Sequence, residues 1–370
     1  MSPQEPRRLP AMDVAGRLGR LRERLEDASC DALVVTKLEN IRYLTGFSGS
    51  AAMLAVSRDA ALLATDARYK DQAGEQVAEA GVEVEIEVSK PAGQLEAVAR
   101  LLAGVRRIGL EARNVSWSEQ RRLAESLAPA ELVPSIGVVE SLRMLKDDGE
   151  LARIEAACEI ADVALAQVKD RLRERPSESE FAAELEYEMR RRGASGPAFE
   201  TIVASGPNSA RPHARPTARA IGEGELVVID FGATVDGYRS DMTRTLCVGT
   251  LEPELAALVD AVFAAERAGV LALHPGVVAG EVDEACRASL AAAGLAEAFV
   301  HGTGHGVGLE IHEAPSVGAG SADILAPGTV VTVEPGVYLP GRGGVRIEDT
   351  VAIGAAGARV LTRSTKDHTL

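Results

Sequence analysis

The sequence predicts an α/β domain over residues 1–143 followed by an α+β domain over residues 144–370. Three observations predict it. A length of 370 residues corresponds to about two domains. Through the first domain, short apolar runs alternate with helical patterns, the texture of a layer with at least partly parallel pairing. Beyond Gly193, turn-rich segments alternate with β-branched runs such as ELVVIDFG, TVVTVEPGVYL and VRIEDTVAI, which read as antiparallel strands joined by short turns.

In chain order, DALVVT (Asp31–Thr36), AAMLAVS (Ala51–Ser57) and AALLAT (Ala60–Thr65) read as strands. VEVEIEV (Val82–Val88) alternates strictly and predicts a strand with one face in water. Helical periodicity falls at Asp13–Ala28, Tyr69–Ala80, Gln94–Ala103 and Ser118–Leu127, the last introduced by Ser116-x-x-Glu119 at capping-box spacing. The charged stretch RMLKDDGE (Arg143–Glu150) marks the joint between domains. A long helix is predicted from about Glu150 to Arg175, stopped by Pro176, and a second from Ser177-x-x-Glu180 to Arg192. Two more fall near Pro253–Leu273 and Glu281–Ala293.

Hydrophobic residues make up 46% and charged ones 26%, so a full core is available and whole-chain disorder is excluded. Aromatics are only 3%, so Ala, Val and Leu must fill that core. A formal charge of −15 repels nucleic acid at long range, so no nucleic-acid partner is expected. No run of about 18 apolar residues is present, so no membrane span is expected. The start, MSPQEPRRLPAMDVAGRLGR, is basic and proline-punctuated but lacks the apolar stretch of a signal peptide. A cytoplasmic location is expected, with Cys30, Cys158, Cys247 and Cys286 reduced and mostly buried, since no CxxC pair occurs.

The chemistry concentrates in the second domain. His301, His305 and His312 fall in HGTGHGVGLEIH, interleaved with Gly302, Gly304, Gly306 and Gly308. Glycines that dense exclude a stable helix. In an extended chain His301 and His305 point to the same side. The glycines would let a ligand or metal approach the backbone. Upstream, ELVVIDFGATVDGYRSDMTRT carries Asp236-Gly237, a strong hairpin signal. A turn there pairs Val235 with Tyr238 and puts Gly232 opposite Asp241. Asp230 then shares a face with Asp241 as a diagonal neighbour, roughly 5–8 Å away at Cβ. Asp230 follows the apolar run LVVI, so the pair should be interior, and two interior carboxylates call for a cation. Glu334 (TVVTVEPG) and Glu348 (GGVRIEDT) sit in similar apolar, strand-like surroundings, where an unpaired carboxylate is costly. Asp230, Asp241, His305, Glu334 and Glu348 thus offer four carboxylates and one imidazole, enough charge for two divalent cations. Oxygen-rich ligation favours Mn, with Co, Zn and Fe left open, and no cysteine suggests a structural zinc.

The ordered set VVIDFG, SDMTRT, HGTGHGVGLEIHE, TVEPGVY and VRIED resembles the creatinase/aminopeptidase P/prolidase superfamily of pita-bread metallopeptidases, most of all its Xaa-Pro peptidases. YLTGFSGSAA, TDARY and VESLRMLKDDGE add looser agreement in the first half. The resemblance implies a creatinase-like N-terminal domain and a pita-bread catalytic domain, with Asp230, Asp241, His305, Glu334 and Glu348 holding two metal ions. It further implies His213 (SARPHARP) on the substrate side, His301 as an outer-shell histidine and His312 steadying the tetrahedral intermediate. Arg346 becomes an outer partner of the metal carboxylates, and Glu334 the general base and proton shuttle. His274 and His368 fit no motif and are expected to be structural or solvent-exposed.

By the same resemblance the substrates are short proline-containing peptides and the assembly a homodimer. A prolidase-like Xaa-Pro dipeptidase is the first expectation, and aminopeptidase P acting on longer peptides is the alternative. Methionine aminopeptidases share the core but usually lack the preceding domain. A non-catalytic binding module on the same fold would typically have lost ligands, and this chain has the full set.

Overall fold

The structure is a computed structural model that describes residues 9–370; the first eight residues of the basic N-terminal stretch lie outside the described residues. Ala11–Arg143 form one compact unit and Met144–Leu370 the body of a second.

The first unit holds α1 (Arg17–Leu25), β1 (Ala32–Val35), α2 (Leu38–Thr45), β2 (Ala52–Ser57), β3 (Ala61–Thr65), α3 (Lys70–Glu79), β4 (Glu85–Val88), α4 (Pro91–Leu101), β5 (Arg107–Glu111), α5 (Trp117–Ser126), β6 (Glu131–Ser135) and α6 (Val138–Arg143). Its sheet runs β4-β3-β2-β1-β5-β6. The pairs β3/β4, β1/β5 and β5/β6 are parallel, whereas β1/β2 and β2/β3 are antiparallel. Pro91 opens α4, where its missing N–H costs no helix bond. Ser116 caps α5 by accepting the Glu119 amide at 3.3 Å. On one face Val34, Ala55, Leu62, Ile108 and Leu110 pack against Val98 and Leu123 from α4 and α5. Strand β4 spans only the last four residues of the alternating run Val82–Val88 and lies at the sheet edge.

The second unit opens with α7 (Asp148–Val168) and α8 (Glu178–Arg191), each started by a complete capping box, Asp147 with Glu150 and Ser177 with Glu180. The expected single helix to Arg175 ends as α-helix at Val168 and tightens into a 3₁₀ stretch, Lys169–Glu174. Strands β7 (Gly196–Pro197), β8 (Ile202–Ser205), β9 (Leu226–Phe231), β10 (Ala233–Val235), β11 (Tyr238–Arg239) and β12 (Met242–Cys247) follow. The helix pair α9 (Pro253–Ala272) and α10 (Ala279–Ala292) precedes β13 (Gly304–Gly306), β14 (Glu313–Val317), β15 (Val330–Val333), β16 (Gly336–Leu339), β17 (Gly343–Arg346), β18 (Asp349–Gly354) and β19 (Gly357–Val360). Two sheets frame the site, β12-β9-β8 and β14-β13-β15-β18-β19, and every pairing in them is antiparallel.

Each sheet is backed by its own helix pair. Val227, Ile229, Phe231, Met242 and Leu246 pack with Phe181, Leu185 and Leu165 of α7 and α8. Val331, Val333, Val345, Ile347, Val351 and Ile353 pack with Val262, Val282 and Leu290 of α9 and α10. Because side chains alternate along a strand, the intervening residues face away from those helices. Asp230, Asp241, Thr243 and Thr245 therefore share one face of the first sheet. Thr332, Glu334, Arg346 and Glu348 are likewise turned away from α9 and α10.

Candidate metal centre

The Asp236-Gly237 turn has φ of 45° and 76°, both left-handed, and Val235 pairs with Tyr238 as the hairpin reading requires. The same register carries through to Met242 opposite Phe231 and Thr243 opposite Asp230. Between the two framing sheets, Thr243 Oγ1 donates to Glu348 Oε2 at 2.7 Å, the Glu348 amide donates to Thr243 O at 3.1 Å, and Thr350 Oγ1 donates to Asp241 O at 2.7 Å. Backbone and threonine bonds thus fix the spacing of three acids from distant parts of the chain.

His305 sits in β13 between two glycines that the neighbouring backbone requires, and Gly302 and Gly304 also line the cavity, as ligand access needs. A Cβ at Gly304 would lie 2.0 Å from Thr332 O, and one at Gly306 would lie 2.3 Å from Ala314 O. The imidazole sits with its Nδ1 3.1 Å from Gly306 O. Its Nε2 faces Glu334 Oε1 at 3.3 Å and Asp241 Oδ2 at 3.6 Å. Ligand atoms of Asp241, His305 and Glu348 lie within 4.8 Å of one another, which suits a single cation. Asp230 Oδ2 accepts from Arg346 Nη2 at 2.6 Å. Asp230 Oδ1 and Glu348 Oε1 are buried and accept no hydrogen bond. Buried oxygens left over in this way, beside an imidazole nitrogen, fit a divalent cation as the partner still to be supplied.

The electrostatics agree. Burial first, then the crowding of Glu348, Asp230 and Glu334, pushes the Asp241 carboxyl well above the ordinary range. Burial and the charges of Glu334 and Asp230 do the same to Glu348. Asp230 is raised by burial despite Arg346. Burial raises Glu334, but the His305 hydrogen bond and the charges of His305, Arg346 and His301 together bring it below its ordinary value. For His305, burial opposes the charge but Glu334 wins, and the imidazole pKa rises.

The remaining predicted residues border the same cavity of about 500 Å³, which includes Pro212, His213, His301 and His312 in its walls. The His312 ring stands edge-on to His305 with centroids 4.3 Å apart, and burial lowers its pKa. His213 is exposed at the rim. His301 makes no hydrogen bond to the acids but reaches them by relay. Arg346 Nη1 donates to Tyr338 Oη at 2.7 Å, so the phenol proton is directed to His301 Nε2, 2.9 Å away. Arg346 also donates to Thr243 Oγ1 at 3.1 Å and to Pro212 O at 3.1 Å. Tyr338 and Thr243 are therefore working parts that motif reading passed over; the alternation in SDMTRT, which sets Asp241 and Thr243 on one face, was the available signal. His274 is exposed, and His368 is half-buried with its carbonyl accepting the Cys247 amide at 2.7 Å. Cys30, Cys158, Cys247 and Cys286 are all free and buried.

A two-sheet, helix-backed α+β unit that gathers buried carboxylates and an imidazole beside an open cavity defines a metallohydrolase of the pita-bread class. Residues 152–355 match metallopeptidase family M24 and residues 17–145 match the creatinase/prolidase N-terminal domain; the chain belongs to this family of peptidases. It is 35% identical over 347 residues to a Xaa-Pro dipeptidase of Pyrococcus horikoshii, covering 93% of this chain and 96% of that one. Among solved structures, a Xaa-Pro dipeptidase from Bacillus anthracis is similar with a TM-score of 0.91 and 38% identity, over 96% of this chain and 99% of that one. An X-Pro aminopeptidase from Thermotoga maritima is similar with a TM-score of 0.84 and 33% identity, over 93% and 99%. Among the described residues, no helix is long and apolar enough to cross a membrane.

Proposed function

We propose that the chain is a dinuclear-metal Xaa-Pro dipeptidase, hydrolysing the bond between an N-terminal residue and proline. The observation that carries this reading is the convergence of Asp241, His305 and Glu348 beside Asp230 and Glu334, with buried oxygens left unpartnered. Those five side chains would hold the ions, with Mn preferred on its taste for oxygen ligands. When bound, divalent ions supply a hydroxide at neutral pH and polarise the scissile carbonyl.

The chain's own groups do the rest. Glu334 accepts the proton of the attacking water and returns it to the proline nitrogen as the C–N bond breaks. His312, kept from extra protonation by burial, is placed to donate a hydrogen bond to the carbonyl oxygen as it gains charge. His213 faces the substrate from the rim. Arg346 orients Asp230, and His301 steadies Arg346 through Tyr338. Phe199, Ile202, Ala214 and Ile311 offer an apolar wall on which a pyrrolidine ring can rest, and an imide bond without an N–H loses nothing there. Short proline-containing peptides, a homodimer and a cytoplasmic setting complete the reading.

The test is metal analysis of the purified protein together with hydrolysis of Ala-Pro and a proline-containing tripeptide at equal concentration. Mn-dependent cleavage of Ala-Pro, abolished by Asp241→Ala in a folded variant, is expected. Cleavage of the tripeptide alone would replace the dipeptidase by an aminopeptidase acting on longer peptides. Full activity in Asp241→Ala would refute the assignment.

A further inference from the structure

The loop 206–217 brings His213 to the cavity, and one residue outside it holds both of its ends. Glu178, in the first turn of α8, has no exposed surface. Its Oε1 accepts from the Ser205 amide at 2.7 Å and the Ser205 hydroxyl at 2.8 Å, at one end of the loop. Its Oε2 accepts from the Thr217 amide at 3.0 Å and the Thr217 hydroxyl at 2.6 Å, at the other end. Asn208 Nδ2 lies 3.1 Å from both oxygens. Burial favours a proton on this carboxyl, but the donors around it outweigh burial and hold it below its ordinary pKa. The Glu180 side chain already serves the helix cap, so Glu178 is not needed for that purpose.

We propose that Glu178 is a positioning residue for substrate binding, a buried carboxylate that clasps both ends of the 206–217 loop and so sets His213 against the cavity. This rests on the reading of His213 as a substrate-side group. The donor pattern makes the clasp specific for a carboxylate. Arg219 Nη1 donates to Ser205 Oγ at 2.7 Å, and the Arg219 amide donates to Thr217 Oγ1 at 3.2 Å. Both hydroxyls therefore turn their protons to Glu178, and every group that meets it is a donor. An amide in its place would set its own NH₂ against donors at one end or the other, and that end would let go. The middle of the loop is held separately, by Arg346 to Pro212 O and by Ser209 Oγ, which accepts the Gly344 amide at 2.8 Å. Loss of the clasp therefore loosens the two ends of the loop, and none of the clasp's own partners is a metal ligand.

The test compares Glu178→Gln, Thr217→Val and His213→Ala in the full chain, loaded with Mn. Expected for Glu178→Gln is a KM for Ala-Pro raised on the order of 10-fold, with kcat and Mn affinity by calorimetry within about 2-fold of the parent. Thr217→Val, which removes one hydroxyl donor, should move KM the same way by less. In a His213→Ala background, Glu178→Gln should add almost nothing, because the clasp acts through that ring. An unchanged KM in folded Glu178→Gln, or full additivity with His213→Ala, overturns the proposal. If Glu178→Gln does not fold, an unchanged KM in Thr217→Val overturns it alone. If the parent cleaves no Xaa-Pro peptide, the peptidase reading fails. The clasp is then judged by amide exchange over residues 206–217, which must quicken in either Glu178→Gln or Thr217→Val for it to stand.

Discussion

Asp241→Asn tests the claim that the buried acids are assembled for a cation. Ligand oxygens of Asp241 and Glu348 lie within 4.8 Å of one another. Two unit charges at that separation repel by about 3 kcal/mol at an effective dielectric constant of 20. Both carboxyls are raised well above the ordinary range, by burial and then by neighbouring acids. A raised folded pKa gives stability that is complete below the unfolded pKa and is lost as pH rises through the folded one. Metal-free protein should accordingly weaken as pH climbs above the ordinary carboxylate range, and asparagine at 241 should relieve part of that loss. By calorimetry in chelator at pH 8, the variant should melt no lower than the parent, with a gain of up to about 3 kcal/mol, or roughly 6–12 °C for a unit this size. With Mn at about a thousand times its Kd, the parent should gain about 4 kcal/mol and the variant far less, so the melting order inverts. A variant that melts lower in chelator yet gains as much from Mn would refute the reasoning.

Other outcomes follow from contacts elsewhere in the second unit. Arg346→Lys should lower metal affinity or activity by roughly 10–100-fold, since one ammonium cannot serve Asp230, Tyr338, Thr243 and Pro212 O together; metal titration and kcat check it. Lys146→Met should cost about 3–5 kcal/mol in urea unfolding by removing one partner of the buried pair with Glu313, 2.8 Å apart, and adding Glu313→Leu should restore much of it. Glu266 is pushed up to about 7 by burial and by Asp349, so its contribution is full below its unfolded pKa and lost as pH rises through about 7. Glu266→Gln should match the parent near pH 5 and exceed it by roughly 2–3 kcal/mol at pH 8, tempered by the lost Lys366 contact, again by urea unfolding.

Periodicity made the mixed α/β class of the first unit and the antiparallel pairing of the second readable, and the Asp236-Gly237 turn carried a correct register as far as Gly232. Strands β5 and β6 escaped because RIGLE has a central glycine and charged ends, while ELVPS contains a proline tolerated only because β6 is an edge strand. Helix α2 escaped because LENIRYLT is short and its stop signal, Gly46 at φ 77°, sits inside an apolar motif. In the candidate site, Asp230, Glu334 and Glu348 could be singled out by their apolar flanks and Asp241 by the hairpin register. The distances from that pair to the acids of the other sheet could not, because those depend on Thr243 and Thr350 bridging two sheets far apart in sequence. The dense glycines of HGTGHGVG were legible as positions of close approach, but not which neighbour approaches: Gly304 and Gly306 admit the backbone of Thr332 and Ala314, and Gly302 and Gly304 also line the cavity. Glu178 left no trace at all: an acid in a first helical turn is ordinary, and its donors come from residues 27 to 39 positions away.

The cage draws its members from both sheets, from Asp230 at one extreme to Glu348 at the other, with hydrogen bonds rather than chain neighbours setting their spacing. An unfolded chain offers an ion no comparable grip. Nearly all of a bound ion's free energy would consequently be felt as resistance to unfolding, and a chelator that stops the reaction should lower the melting temperature in the same step.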